Sequence, residues 1–271
     1  MALIITGHQR SGTTLLLELC NSHPDISLTM EFGNFCAVGK PYTVYMIRMI
    51  KRWLGIGIRY WPLVVTKAGV FTSVVKRQKQ MTIARNHAFV VHYLFKMLRH
   101  WQKRANVQAI EATLKDILRG TLIVGDKYPD YVFKLNDLAG VDNLSILVIC
   151  RDCRDVTSSA LRTVSTAWRN MPVLRNKMDT AAKVAERWVR AMELIERHRD
   201  KLCVVHYEDL IKEKKRELRA LGDWLGVDST GFDAGVIRDT SIGKYKSGLS
   251  DEDLTTVMDV AGPTMAKMGY L

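Results

Sequence analysis

The chain has 271 residues, 47% hydrophobic and 25% charged with only 6 prolines, which excludes a disordered or collagen-like polymer and allows a sizeable buried core. Forty Lys and Arg against 28 Asp and Glu give a net charge of +12, so an anionic partner is expected. The excess is concentrated, because between Lys40 and Gly120 sixteen cations face only Glu111 and Asp116. The five cysteines are odd in number and three lie in or beside apolar runs, so buried thiols are expected in place of disulfides. Cys150 and Cys153 have the spacing of a metal-binding pair, but no second pair or histidine cluster accompanies them, and no metal site is expected. Neither a secretory leader nor an apolar run of about 18 residues is present, which predicts a cytoplasmic chain that does not span a membrane.

The β-branched apolar runs Leu3–Thr6, Leu122–Val124, Ser145–Cys150 and Leu202–Val205 predict strands, and most are followed by helical spacing. That alternation is the pattern of an α/β fold with a central parallel β-sheet flanked by helices. After the first strand-loop-helix unit, Lys40 to Arg119 has no strand signal. Its amphipathic stretches Tyr42–Leu54, Met81–Trp101 and Val107–Leu118 predict a basic helical insertion, at about 40–120, within one domain covering 1–271. Asp179 to Arg199 reads as one long helix packed on the sheet, with Trp188 in the core.

Leu-Ile-Ile-Thr-Gly-His-Gln-Arg-Ser-Gly-Thr-Thr, residues 3–14, is a buried strand, a loop with two glycines and a helix start rich in hydroxyls. Gly7 and Gly12 permit tight backbone conformations, and the amides of Ser11 to Thr14 can converge on one oxyanion at a helix N-terminus. The glycine spacing matches a Walker loop, but Thr13 stands where a nucleoside triphosphatase has its lysine, and the cation is Arg10 inside the loop.

Arg10-Ser11-Gly12-Thr13-Thr14, followed by His23-Pro24-Asp25 and Glu31, resembles the 5′-phosphosulfate loop of sulfotransferases that use 3′-phosphoadenosine 5′-phosphosulfate (PAPS). Arg151-Asp152-Cys153-Arg154-Asp155-Val156-Thr157-Ser158-Ser159 resembles the family's 3′-phosphate motif, with its arginine and serine eight apart and Cys153 where proline is usual. Gly125-Asp126-Lys127-Tyr128-Pro129, Tyr207-Glu208-Asp209-Leu210 and Ser241-Ile242-Gly243-Lys244-Tyr245-Lys246 are similar to its strand-end lysine, tyrosine motif and basic covering loop.

The resemblance implies a P-loop-type fold and transfer of a sulfuryl group from PAPS to a hydroxyl or amine. It implies that Arg10, Ser11, Gly12, Thr13 and Thr14 bind the 5′ side and Arg151 and Ser159 the 3′-phosphate, with Tyr207 near the adenine and Lys244 a cofactor contact in the covering loop. Arg10 and Lys127 are the implied catalytic cations and Glu31 the implied base, as in the tyrosylprotein enzymes. His87, His92 and His100 match no motif for the histidine base of the cytosolic small-molecule members. Two other readings are open. A P-loop kinase would use ATP with magnesium. A non-enzymatic polyanion-binding module would use Trp53, Tyr60, Trp61, Tyr93 and Trp101 among the cations, with steep salt dependence. The basic insertion suits an acidic glycan, an acidic peptide or the headgroups above a lipid acceptor, and its Arg48 to Val75 stretch suits a membrane surface.

Overall fold

Five parallel strands form one sheet in the computed structural model, which describes residues 1–56, 78–238 and 241–271. They are β1 (Ala2–Thr6), β2 (Ile26–Met30), β3 (Ile123–Lys127), β4 (Leu144–Cys150) and β5 (Cys203–His206), in the order β2-β3-β1-β4-β5. Side chains alternate between two apolar layers, which is why the strands read as continuous apolar runs. Ala2, Ile4, Ile146 and Val148 join one buried cluster, while Leu3, Ile5, Leu147 and Ile149 join the other. Each fully buried Leu or Ile contributes about 2 kcal/mol of transfer free energy.

Four of these strands were legible as apolar runs, and β2 is an addition to the expected sheet. Its Ile26-Ser27-Leu28-Thr29-Met30 alternation interrupts the apolar run with hydroxyls. In the fold the Thr29 hydroxyl is paired with the Gly125 carbonyl at 3.0 Å and the Asp126 carboxylate at 2.7 Å. The Asn21 side chain, on helix α1 (Thr13–Ser22), brackets Leu28 through both its N–H and its carbonyl.

The helical insertion therefore follows β2, one element later than expected, and leads into β3. It comprises α2 (Tyr42–Ile56), α3 (Gln78–Arg99) and α4 (Val107–Ile117). α2 and α3 run antiparallel: the Tyr42 hydroxyl donates to the Met97 carbonyl, and the Tyr45 and Tyr93 hydroxyls meet at 2.6 Å. Tyr42, Tyr45, Phe89 and Tyr93 belong to the same buried cluster as Ile4 and Val148, so the insertion is packed as core. Of the aromatics that the polyanion-binding alternative would use, Tyr93 is buried and Trp101 lies against Tyr42. Tyr60 and Trp61, and most of the Arg48 to Val75 stretch, lie outside the described residues.

Trp188, on the helix Ala181–Arg197, is fully buried, and its indole N–H donates to the Arg151 carbonyl at 2.9 Å. It is core, as expected, and it also fixes the backbone at the end of β4. All five cysteines are free; Cys20 and Cys150 are buried among apolar side chains, and burial pushes each thiol up to about 12.

Candidate functional site

The carboxyl ends of the five strands deliver the candidate residues to one edge of the sheet. β2 leads into Glu31, β3 ends on Lys127, β1 enters the glycine loop, β4 leads into Arg151 and β5 into Tyr207. The strand order then decides which are neighbours: Glu31 falls beside Lys127, and Arg151 beside Tyr207. Ligands in open parallel sheets bind at this edge, where the order reverses around the first strand.

The loop is shaped for an anion. Gly12 adopts φ +103°, and a Cβ there would lie 2.7 Å from the Tyr207 ring. α1 has no side-chain cap at its N-terminus, so its first amides are open to a ligand. The Ser11 hydroxyl is buried without a hydrogen-bond partner. Arg10 is left-handed at φ +72° and its Nε donates to Ser159 Oγ at 3.0 Å, while its carbonyl accepts from Arg151 Nη1 at 3.3 Å. Desolvation, and after it the neighbouring Arg162 and Arg151 guanidiniums, push the Arg10 pKa down.

Arg151, Ser158, Ser159, Arg162, Ser241 and Lys244 line a cleft of about 410 Å³. The Arg151 guanidinium is buried, stacks 4.4 Å over the Tyr207 ring and donates to the Ser241 carbonyl, leaving its Nε without a partner. Asp155 was not singled out from the sequence, yet it holds this cleft together. It accepts from the Gly243 and Tyr245 amides at 2.9 and 3.0 Å and pairs with Arg151 at 3.5 Å, which brings the loop carrying Lys244 to the cleft. Tyr207 also lines an adjoining cleft of about 400 Å³ with Leu15, Glu18, Val236, Arg238 and Ser241.

At the other end of the sheet edge, the buried Lys127 ammonium donates to Glu31 Oε1 at 2.8 Å and to Thr14 Oγ1 at 3.5 Å. Glu31 has φ +57°, a conformation that costs a non-glycine residue about 1–2 kcal/mol. Its surroundings impose it. The Glu31 amide donates to the Lys127 carbonyl at 2.6 Å, and Arg52 of α2 donates to the carbonyls of Glu31 and Phe32. The fully buried Asp126 carboxylate accepts from the Phe32 and Gly33 amides at 3.0 and 2.8 Å and from the Thr29 and Tyr131 hydroxyls at 2.7 Å each.

Asp126 and Arg52 are therefore positioning residues that sequence reasoning passed over; the only signal was an acid beside the strand-end lysine. Burial pushes the Asp126 pKa up, opposed by its hydrogen bonds. In Asp126→Asn the amide would turn a donor toward other donors, at about 1–3 kcal/mol per unsatisfied group. The expected result is a kcat about tenfold to a hundredfold lower with nucleotide affinity unchanged; a parallel loss of both would mark Asp126 as a general stability residue.

His8 is fully buried in the loop, where burial lowers its pKa from 6.5 to about 4. Its Nδ1 donates to the Gln9 carbonyl at 2.7 Å and its Nε2 is unpartnered, as suits a neutral ring. The unfolded chain binds this proton more tightly, so stability is complete above pH 6.5 and falls as pH drops toward 4, by about 3 kcal/mol in full. Urea melts at pH 7 and pH 4.5 are expected to differ less in His8→Asn than in the wild type; equal differences would remove His8 from the acid response.

Strand order and a glycine loop that enters an uncapped helix define an α/β protein of the P-loop type. Within that class the sulfotransferase family model matches residues 2–231, and the chain belongs to that family: it is an enzyme that transfers a sulfuryl group. The fold is similar to a sulfotransferase domain from the curacin biosynthetic pathway, with TM-score 0.60 and 16% identity over 100% of this chain and 98% of that one. It is also similar to sulfotransferase STF9 from Mycobacterium avium, with TM-score 0.51 and 13% identity over 98% and 76%. No curated protein sequence matches the chain.

The structure groups the expected residues in two sets. Arg151, Ser159 and Lys244 line one cleft, with Arg10 bonded to Ser159 and the Tyr207 ring under Arg151, and Glu31, Lys127 and Thr14 meet at the other end. Of the two implied catalytic cations, Lys127 meets Glu31, whereas the Arg10 guanidinium donates to Ser159.

Proposed function

We propose that the chain moves the sulfuryl group of PAPS in line to an acceptor hydroxyl or amine, with Glu31 as general base. The observation that carries the reading is the buried Lys127 ammonium, which joins the Glu31 carboxylate to a hydroxyl of the phosphate loop. The residues fit the donor on three counts: the unpartnered Ser11 hydroxyl, the unpartnered Arg151 Nε, and the mutual repulsion of Arg10, Arg151 and Arg162.

PAPS supplies the activated sulfuryl group. Ser11, Gly12, Thr13 and Thr14 hold its 5′-phosphate through amides and hydroxyls. Arg151, Ser159 and Lys244 hold its 3′-phosphate, joined by Arg162, and the Tyr207 cleft takes the adenine. Arg10 belongs to the 5′ loop by its backbone and to the 3′ cleft by its guanidinium, so it ties the two anion sites together. Lys127 offsets charge that builds on the transferring group, and Glu31 takes the acceptor proton. The left-handed turn at Glu31 keeps the carboxylate at the end of β2, where the acceptor enters beside α2. The chain works as one domain, its insertion sharing a buried cluster with the sheet.

Calorimetry with 3′-phosphoadenosine 5′-phosphate (PAP), adenosine 5′-phosphate and ATP with magnesium tests the donor assignment. Tight binding is expected for PAP alone. A preference for ATP with magnesium would sink the assignment in favour of kinase chemistry.

A further inference from the structure

Eight of the thirteen large hydrophobic side chains that lie exposed among the described residues belong to α2, α3 and the turn after α3. Ile47 and Leu54 on α2 are 53% and 61% exposed, and Phe95 and Leu98 on α3 are 59% and 52% exposed. They stand opposite the buried Tyr45, Met49, Tyr93 and Met97, so each helix is apolar on its outer face as well as its inner one. Monomeric surfaces rarely gather so many apolar side chains without a partner. Cations border them: Arg48, Lys51, Arg99 and Lys103 are exposed on the same elements, and the Arg99 guanidinium lies 5.6 Å over the Phe95 ring. From Phe32 to Ile110 the sequence carries fourteen Lys and Arg and no Asp or Glu.

We propose that the outer face of α2 and α3 docks on an anionic lipid bilayer, its apolar side chains entering the headgroup boundary and its cations facing the lipid phosphates. A second copy of the chain is disfavoured as occupant, because pairing this face with itself sets one cationic surface against another. Nucleic acid is disfavoured because six of the eight exposed side chains are aliphatic, whereas strand binding uses aromatic platforms, and Tyr42, Tyr45 and Tyr93 are buried. Aliphatic side chains rimmed by Lys and Arg are the chemistry of an interfacial helix surface. α2 also carries Arg52, which donates to the Glu31 and Phe32 carbonyls, so docking brings the Glu31 turn close to the headgroups. That consequence rests on the proposed base; the docking does not.

The test is sedimentation of the full chain with vesicles of phosphatidylcholine containing about one-third phosphatidylserine, against phosphatidylcholine alone. The wild type is expected to sediment with the anionic vesicles only and to be released by salt. Ile47→Glu with Leu54→Glu is expected to lower this partitioning at least about tenfold, and Arg48→Glu with Lys51→Glu to do the same. Both pairs are exposed and away from the nucleotide clefts, so PAP binding by calorimetry is expected unchanged and serves as the folding control. Any of three sedimentation or oligomer results would overturn the proposal, as would the competition result given next: a wild type that binds PAP but stays in solution when the anionic vesicles sediment, variants that sediment like the wild type, or a wild-type dimer converted to monomer by Ile47→Glu with Leu54→Glu. Displacement from the vesicles by an oligonucleotide that the Ile47→Glu, Leu54→Glu protein still binds would assign only the cations, to nucleic acid, and would also overturn it. Loss of PAP binding in the wild type would instead count against the donor assignment and leave the sedimentation result standing.

Discussion

Glu31→Gln is expected to lower kcat by about two to four orders of magnitude while PAP affinity stays within about twofold of wild type. The substitution is close to isosteric. Its amide oxygen can still accept from the Lys127 ammonium, which now sits 2.8 Å from Glu31 Oε1, and the backbone constraints from Asp126 and Arg52 are untouched. What disappears is the capacity to take a proton. Single-turnover kinetics with saturating donor separate that loss from slow release of product. A turnover close to wild type would remove Glu31 from the base role and leave its ion pair as a structural anchor of the loop. Lys127→Met serves as the companion measurement: it deletes the only ammonium that contacts both Glu31 and Thr14 among the described residues, so kcat is again expected to fall.

Arg151→Gln is expected to lower PAP affinity by about tenfold to a hundredfold and adenosine 5′-phosphate affinity much less, so that the ratio between the two collapses. A charge-assisted contact to a phosphate contributes about 1.5–3 kcal/mol, and only PAP offers the 3′ group. Arg151 also donates to the Arg10 and Ser241 carbonyls and stacks on Tyr207, so the variant is expected to melt earlier. Ser159→Ala supplies the gentler control, because it removes one hydroxyl from the cleft and one bond to Arg10 without opening a buried charge. If calorimetry shows the affinity ratio unchanged in both variants, the 3′-phosphate lies elsewhere.

Much of this arrangement is legible in the sequence. The apolar runs marked β1, β3, β4 and β5 because strands packed between two layers are rich in apolar residues on both faces. The helices α2, α3 and α4 were legible from their 3.6-residue period to within a few residues of the observed ends. β2 was not, because Ser27 and Thr29 have hydroxyls that look exposed in sequence, and the Thr29 hydroxyl finds its partners, Gly125 and Asp126, only on β3. The roles of Asp126, Asp155 and Arg52 were equally invisible, since each acts by accepting from or donating to backbone groups that the chain brings near only on folding.

The sequence by itself determined the local devices: a glycine loop poised at a helix start, an arginine and a serine eight apart after a strand, and a long acid-free insertion. Local steric and hydrogen-bonding rules act over a few residues, so such devices are readable in one dimension. Only the tertiary structure decided which devices meet. Strand order placed Glu31 beside Lys127 although 96 positions separate them, and packing turned the Arg10 guanidinium toward Ser159 and left apolar side chains of α2 and α3 exposed among the described residues. Those outcomes follow from parallel pairing and from the packing of two apolar layers, and both are set by contacts between segments far apart in the chain.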